Sequence, residues 1–212
     1  MFPVSNYKGI LEQEMMNQRK QIVIMLLVKP SDDGADMIIN KFNYLHHKSE
    51  KFCSIYAIGY SKNLYIDGVQ ADKEIDGVEG NKWYYSDKCF IQFQEDLEKR
   101  LIWRYSGDPE LIILQSDPES HVYLTFSNAV KLDINHAIKQ GYIQSFPRFM
   151  ENLIRASRKH VTAREASKAS KLFSIKDTVL NALMESDKLP KPAKRIIKDV
   201  QFYRACNSKA VT

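Results

Sequence analysis

Gln21-Ile22-Val23-Ile24-Met25-Leu26-Leu27-Val28 decides the fold class. Seven consecutive apolar residues, many of them β-branched, leave no polar face. Such a run reads as a strand covered on both sides, central and parallel in its sheet. It is far too short for a bilayer, which takes about 20 residues, so no membrane partner is expected.

Downstream, Pro30 and Ser31-Asp32-Asp33-Gly34-Ala35-Asp36 break the strand and offer helix caps. The spacing of Ile38, Phe42 and Leu45 predicts a helix over 35–48. Phe52 to Tyr60 reads as a second strand. Upstream, 6–19 reads as a short helix with Ser5 as cap. Residues 61–81 carry Ile66-Asp67-Gly68-Val69 and Ile75-Asp76-Gly77-Val78, two turn signals that suggest a hairpin insert. A helix capped by Ser86 follows, with Phe90, Phe93, Leu97 and Leu101 as its stripe. Glu110–Gln115 and Val122–Phe126 read as strands of an antiparallel hairpin, and 129–140 as a helix closed by Gly141.

This order, β-α-β-insert-α-β-β-α, predicts an α/β domain with a mixed four- to five-stranded sheet. Over roughly residues 20–140 it resembles thioredoxin-like domains, and Pro109 stands where that fold keeps a cis-proline. The loop that carries CxxC in such domains reads Asp32-Asp33-Gly34-Ala35 here. The resemblance therefore implies a fold without dithiol chemistry, and no activity is carried across.

Beyond Gly141 every segment reads as helical: a helix from Ser145 with Phe146, Phe149, Met150, Leu153 and Ile154 on its apolar side, a long helix over 162–186, and a last one over 193–206. The charge changes at the same place. Residues 141–212 hold 15 Lys or Arg against 6 Asp or Glu, whereas 1–140 hold 16 against 20. The expected organisation is an α/β domain over 1–141 and a basic helical segment over 142–212.

The 44% hydrophobic and 27% charged content is that of a globular chain. Three scattered cysteines (Cys53, Cys89, Cys206) form neither a disulfide framework nor a metal motif and suit a reducing, cytoplasmic location. No GxxxxGK[ST], GxGxxG or GxSxG occurs. Adjacent His46 and His47 point about 100° apart on a helix and chelate poorly.

Two places remain for function. Asp32 and Asp33 follow the first long strand, where open α/β sheets bind ligands. Asp117 would join them if its strand ran parallel, and such carboxylates could hold Mg²⁺ for chemistry on a nucleotide or phosphate ester. Capping and turn formation explain the same residues. The stronger signal is basic. His160, Arg164, Lys168 and Lys171 share one helix face, Arg155, Arg158 and Lys159 precede them, and Lys191, Lys194, Arg195 and Lys198 form a second face. The expectation is a non-catalytic binding or assembly subunit with no cofactor, engaging nucleic acid or an acidic protein surface. The alternatives are the metal-dependent enzyme and a purely structural protein-binding subunit.

Overall fold

The chain begins with a short strand, β1 (Phe2–Val4), and a helix, α1 (Tyr7–Asn17). Asn6, not Ser5, caps α1, its side-chain oxygen accepting the Gly9 N–H at 2.9 Å. The apolar run then forms β2 (Ile22–Leu27), buried at every residue. Both faces of the sheet are therefore covered, as a strand with no polar face requires. The computed structural model describes residues 1–49, 52–66, 68–119, 123–166, 178–180, 182–183 and 201–202.

The helix expected over 35–48 is two helices, α2 (Ala35–Ile39) and α3 (Phe42–Ser49). Between them the Lys41 N–H donates to the Ile38 carbonyl at 3.0 Å, a tightened turn. Ile38, Ile39 and Asn40 are all modest helix formers, so the break falls where propensity is weakest. Ile38, Phe42 and Leu45 nevertheless reach the core. β3 (Cys53–Ile58) then pairs parallel with β2 on one side and with β1 on the other.

Gly59 turns the chain out of the main sheet. Its φ of 86° is left-handed, and a Cβ there would stand 2.9 Å from the Phe90 Cβ, so only glycine fits. The insert that follows contains β4 (Tyr60–Ser61), β5 (Tyr65–Ile66), β6 (Val69–Gln70), β7 (Lys73–Asp76) and β8 (Lys82–Tyr85). β5 and β6 pair as one hairpin, and β4, β8 and β7 make a small antiparallel sheet. Fully buried Trp83 packs against Phe42, ring centroids 5.6 Å apart, and so anchors the insert to α3.

α4 (Asp87–Arg100) is capped by Ser86 and buries Phe90, Phe93 and Leu97. β9 (Glu110–Ser116) and β10 (Leu124–Asp133) form the antiparallel hairpin, with a register shift between Thr125 and Val130. Residues 129–133, expected in a helix, instead continue β10. Val130–Asp133 pair with Ile113–Glu110, and Ala129, Val130 and Leu132 are buried, so pairing along β9 overrides the helical pattern. Only α5 (Ile134–Lys139) is helical there, capped by Asp133.

α6 (Phe146–Ala166) runs through the break expected near residue 161. Its Phe146, Phe149, Met150 and Leu153 lie in the same core cluster as β2, as do Val179, Ala182 and Leu183. The charge change near Gly141 is thus not a break in the core. Gln201–Phe202, expected in the last helix, instead form a strand, β11, paired with Val130 and Lys131. What remains of the helices expected over 162–186 and 193–206 lies outside the described residues, apart from helical 178–180 and 182–183.

The main sheet is mixed, with five strands in the order β1-β3-β2-β9-β10 and β11 at its edge. α1 and α4 meet through Tyr7 and Phe93, centroids 6.4 Å apart, while α2 and α3 pack with α6. No described helix is long and apolar enough to cross a membrane. The insert's docking has a direct test. A Cβ at Gly77 would overlap the Trp83 indole. Gly77→Ala is expected to cost about 1–3 kcal/mol, seen as a lower urea midpoint; wild-type stability would contradict this packing.

Candidate functional site

β9 runs antiparallel to β2, with Leu27 opposite Glu110 and Ile22 opposite Gln115. This direction separates the aspartates that a parallel strand would have gathered. Asp32 and Asp33 follow the C-terminal end of β2. Asp117 lies at the other end, where its carboxylate pairs with the Lys20 Nζ at 2.6 Å. About 20 Å of strand stands between them. Among the described residues no three His, Cys, Asp or Glu side chains cluster as a metal site. The donor set for Mg²⁺ on Asp32, Asp33 and Asp117 is therefore not assembled.

What the strand end holds instead is a network closed on itself. The Asp32 Oδ2 accepts the Lys29 N–H at 2.8 Å and the Tyr105 hydroxyl at 2.9 Å. It caps its own loop, as aspartate does in turns. The Lys29 ammonium lies 5.0 Å from the Phe90 ring centroid and 5.8 Å from that of Tyr105, close enough for cation–π attraction. Tyr60 donates to the Val28 carbonyl at 3.0 Å. The Asn135 amide donates to the Asp33 carbonyl and to the Asp108 carboxylate, each at 3.0 Å. The peptide bond before Pro109 is trans.

Beneath the loop is a buried ion pair that the sequence does not announce. Glu110 opens β9 and is fully buried. Its carboxylate takes the Lys131 Nζ at 2.5 Å, the Trp103 indole N–H at 3.0 Å and the Ser106 N–H at 3.1 Å. Burial pushes the Glu110 carboxyl above the usual range, while Lys131 and Ser106 pull it back. Burial also raises the Tyr60, Tyr85 and Tyr105 phenols, with the Asp32 charge adding to each. Phenols held protonated donate hydrogen bonds and do not act as bases at neutral pH. The far end of the sheet is closed in the same manner. Buried Glu14 accepts from the Tyr56 hydroxyl at 2.6 Å and from the Gln21 amide at 3.1 Å.

The basic residues fall differently. Arg155 and Arg158 are exposed on α6, as is Arg148. With Glu151 they recur at i, i+3, i+7 and i+10, one face of a helix whose other face is in the core. α3 extends this face. The Tyr44 hydroxyl donates to Glu151, and the Lys48 ammonium lies 5.6 Å from the Tyr44 ring centroid. The Arg158 guanidinium lies 5.2 Å from the ring centroid of Phe52. Sequence reasoning missed Tyr44, Lys48, Phe52 and Arg148. Only the basic end of α3 hinted at them, since the pairing of rings with cations is made by packing. The backbones of Lys159, His160 and Arg164 lie in α6. Lys168, Lys171, Lys191, Lys194, Arg195 and Lys198 lie outside the described residues.

No protein-family model, no curated protein and no solved structure matches this chain.

Two measurements test the closed network and the thiols. Lys131→Met strands a buried carboxylate, so a loss of about 3–5 kcal/mol is expected at neutral pH. Stranding raises the Glu110 pKa further, and the folded state then binds its proton more tightly than the unfolded chain. The deficit should therefore shrink as pH falls into the carboxylate range; a pH-independent deficit would contradict the pairing. Burial pushes the Cys53 thiol up to about 12. Iodoacetamide at pH 8 should leave Cys53 unmodified in the native protein and alkylate it in urea, read by peptide mapping; rapid native labelling would contradict its burial.

Proposed function

We propose that this chain is a non-catalytic binding or assembly subunit that engages nucleic acid or another acidic partner through the basic segment following Gly141. The observation that carries this reading is the two-sidedness of α6. Phe146, Phe149, Met150 and Leu153 fix one face in the core, while Arg148, Arg155 and Arg158 are held on the other. Fixed cations on a rigid helix lose little freedom on binding, and their attraction for a polyanion is largely counterion release. The +9 balance of residues 141–212 supports the same reading.

The architecture we infer is thioredoxin-like without the dithiol. The order β1-β3-β2-β9-β10, with β1, β3 and β2 parallel and β9 and β10 antiparallel, supports it. The loop Asp32-Asp33-Gly34-Ala35 stands where such a domain carries its CxxC, and the trans bond before Pro109 departs from the pattern. The buried thiol of Cys53 suits a cytoplasmic protein. Self-satisfied hydrogen bonding at the strand end supports a non-catalytic role over a phosphate-ester enzyme.

Charge reversal tests this better than truncation at Gly141, because removing α6 would also remove core residues. Binding of an oligonucleotide and of polyglutamate is measured at about 50 and 200 mM salt. Affinity should fall steeply with salt for at least one polymer. Arg155→Glu/Arg158→Glu should weaken binding at least about tenfold and flatten the log–log salt slope by about 2. Absent or salt-insensitive binding to both would sink the reading.

A further inference from the structure

The exposed side of α3 and α6 joins charge with aromatic surface, a combination that simple polyanion binding does not need. Tyr44 and Phe52 are both partly exposed, and each carries a cation against its ring: Lys48 at 5.6 Å and Arg158 at 5.2 Å from the centroids. We propose that this face, built from Tyr44, Lys48, Phe52, Arg155 and Arg158, is a stacking platform for single-stranded nucleic acid. The proposal rests on the acidic-partner reading above and names the partner's class.

Three features favour that class. A guanidinium lying against a ring is oriented by it; its plane can stack on a base and its N–H edge can pair with phosphate. The two ring–cation pairs are held in fixed places. The Tyr44 hydroxyl is tied to Glu151, and Arg158 lies seven positions further along α6. That spacing is about 10 Å along the helix, a gap that an unstacked strand can bridge. Finally, along α6 Glu151 is the one acidic residue between Gln144 and Arg158, and the Tyr44 phenol engages it.

The same features argue against the other acidic polymers. Bases in a duplex stack on each other and offer a flanking ring no face. An acidic protein surface would use the cations and leave the rings idle. Only an open strand supplies phosphates and unpaired base faces together, and aromatic platforms with basic surroundings take such strands with little sequence preference.

The test uses the full chain with three probes of similar length: an oligothymidylate of about 12 nucleotides, the corresponding duplex, and polyglutamate. The oligothymidylate should bind most tightly. Phe52→Leu should weaken it about tenfold and leave the other two unchanged. Arg158→Lys keeps the charge and loses the planar stack. It should show the same selective loss, and it guards against a folding defect in the Phe52 variant. Equal affinity for the three probes, a preference for duplex, or conservative variants that bind oligothymidylate like wild type would overturn the stacking proposal and leave the acidic-partner reading standing. Failure of all three probes to bind would remove both.

Discussion

β9 lies antiparallel against β2, with hydrogen-bonded partners from Ile22 and Gln115 at one end to Leu27 and Glu110 at the other. Because β2 is buried on both faces, its neighbours cannot slip without exposing apolar surface, and the direction of β9 then decides which side chains meet. Glu110 arrives under the loop that follows β2, and β10 brings Lys131 to it. Asp117 is carried to the far end, where it meets Lys20. One strand direction thus converts a possible carboxylate site into a buried ion pair at one end and a Lys–Asp contact at the other.

Both ends of the sheet spend their polar groups internally. Asp32 is held by its own loop and Tyr105, Glu110 by Lys131, Trp103 and Ser106, and Glu14 by Tyr56 and Gln21. Buried polar groups of this kind are costly unless satisfied. The helical layer of α3 and α6 carries exposed Lys48, Arg148, Arg155 and Arg158. There the apolar side is anchored in the core and the arginines stand outward.

Much of the main sheet is legible in the sequence because its strands are long and apolar. The runs at 22–28 and 110–115 have no polar face to confuse, and the α4 stripe from Phe90 to Leu97 has a Ser86 cap before it. β1 is missed because three residues carry no period. β10 is misread beyond Phe126 because Ala129, Val130 and Leu132 fit a helix as well as a strand until β9 is there to pair with. The reversal at Gln201–Phe202 has the same cause: Val130 and Lys131 supply partners that no local pattern contains. At the candidate sites, the aspartates were visible but strand direction was not. Arg155 and Arg158 were visible, whereas Tyr44, Lys48 and Phe52 join them only when α3 packs against α6.

On the proposed reading the α3–α6 face, and not the end of β2, meets the partner. Amide chemical-shift mapping of isotopically labelled protein during titration with oligothymidylate tests it most directly. The expected result is a cluster of shifted amides at Tyr44–Lys48, Phe52 and Arg148–Arg158, with Lys29–Asp36 and Tyr105 unmoved. Shifts concentrated at Lys29–Asp36 and Tyr105, with α6 silent, would contradict the account.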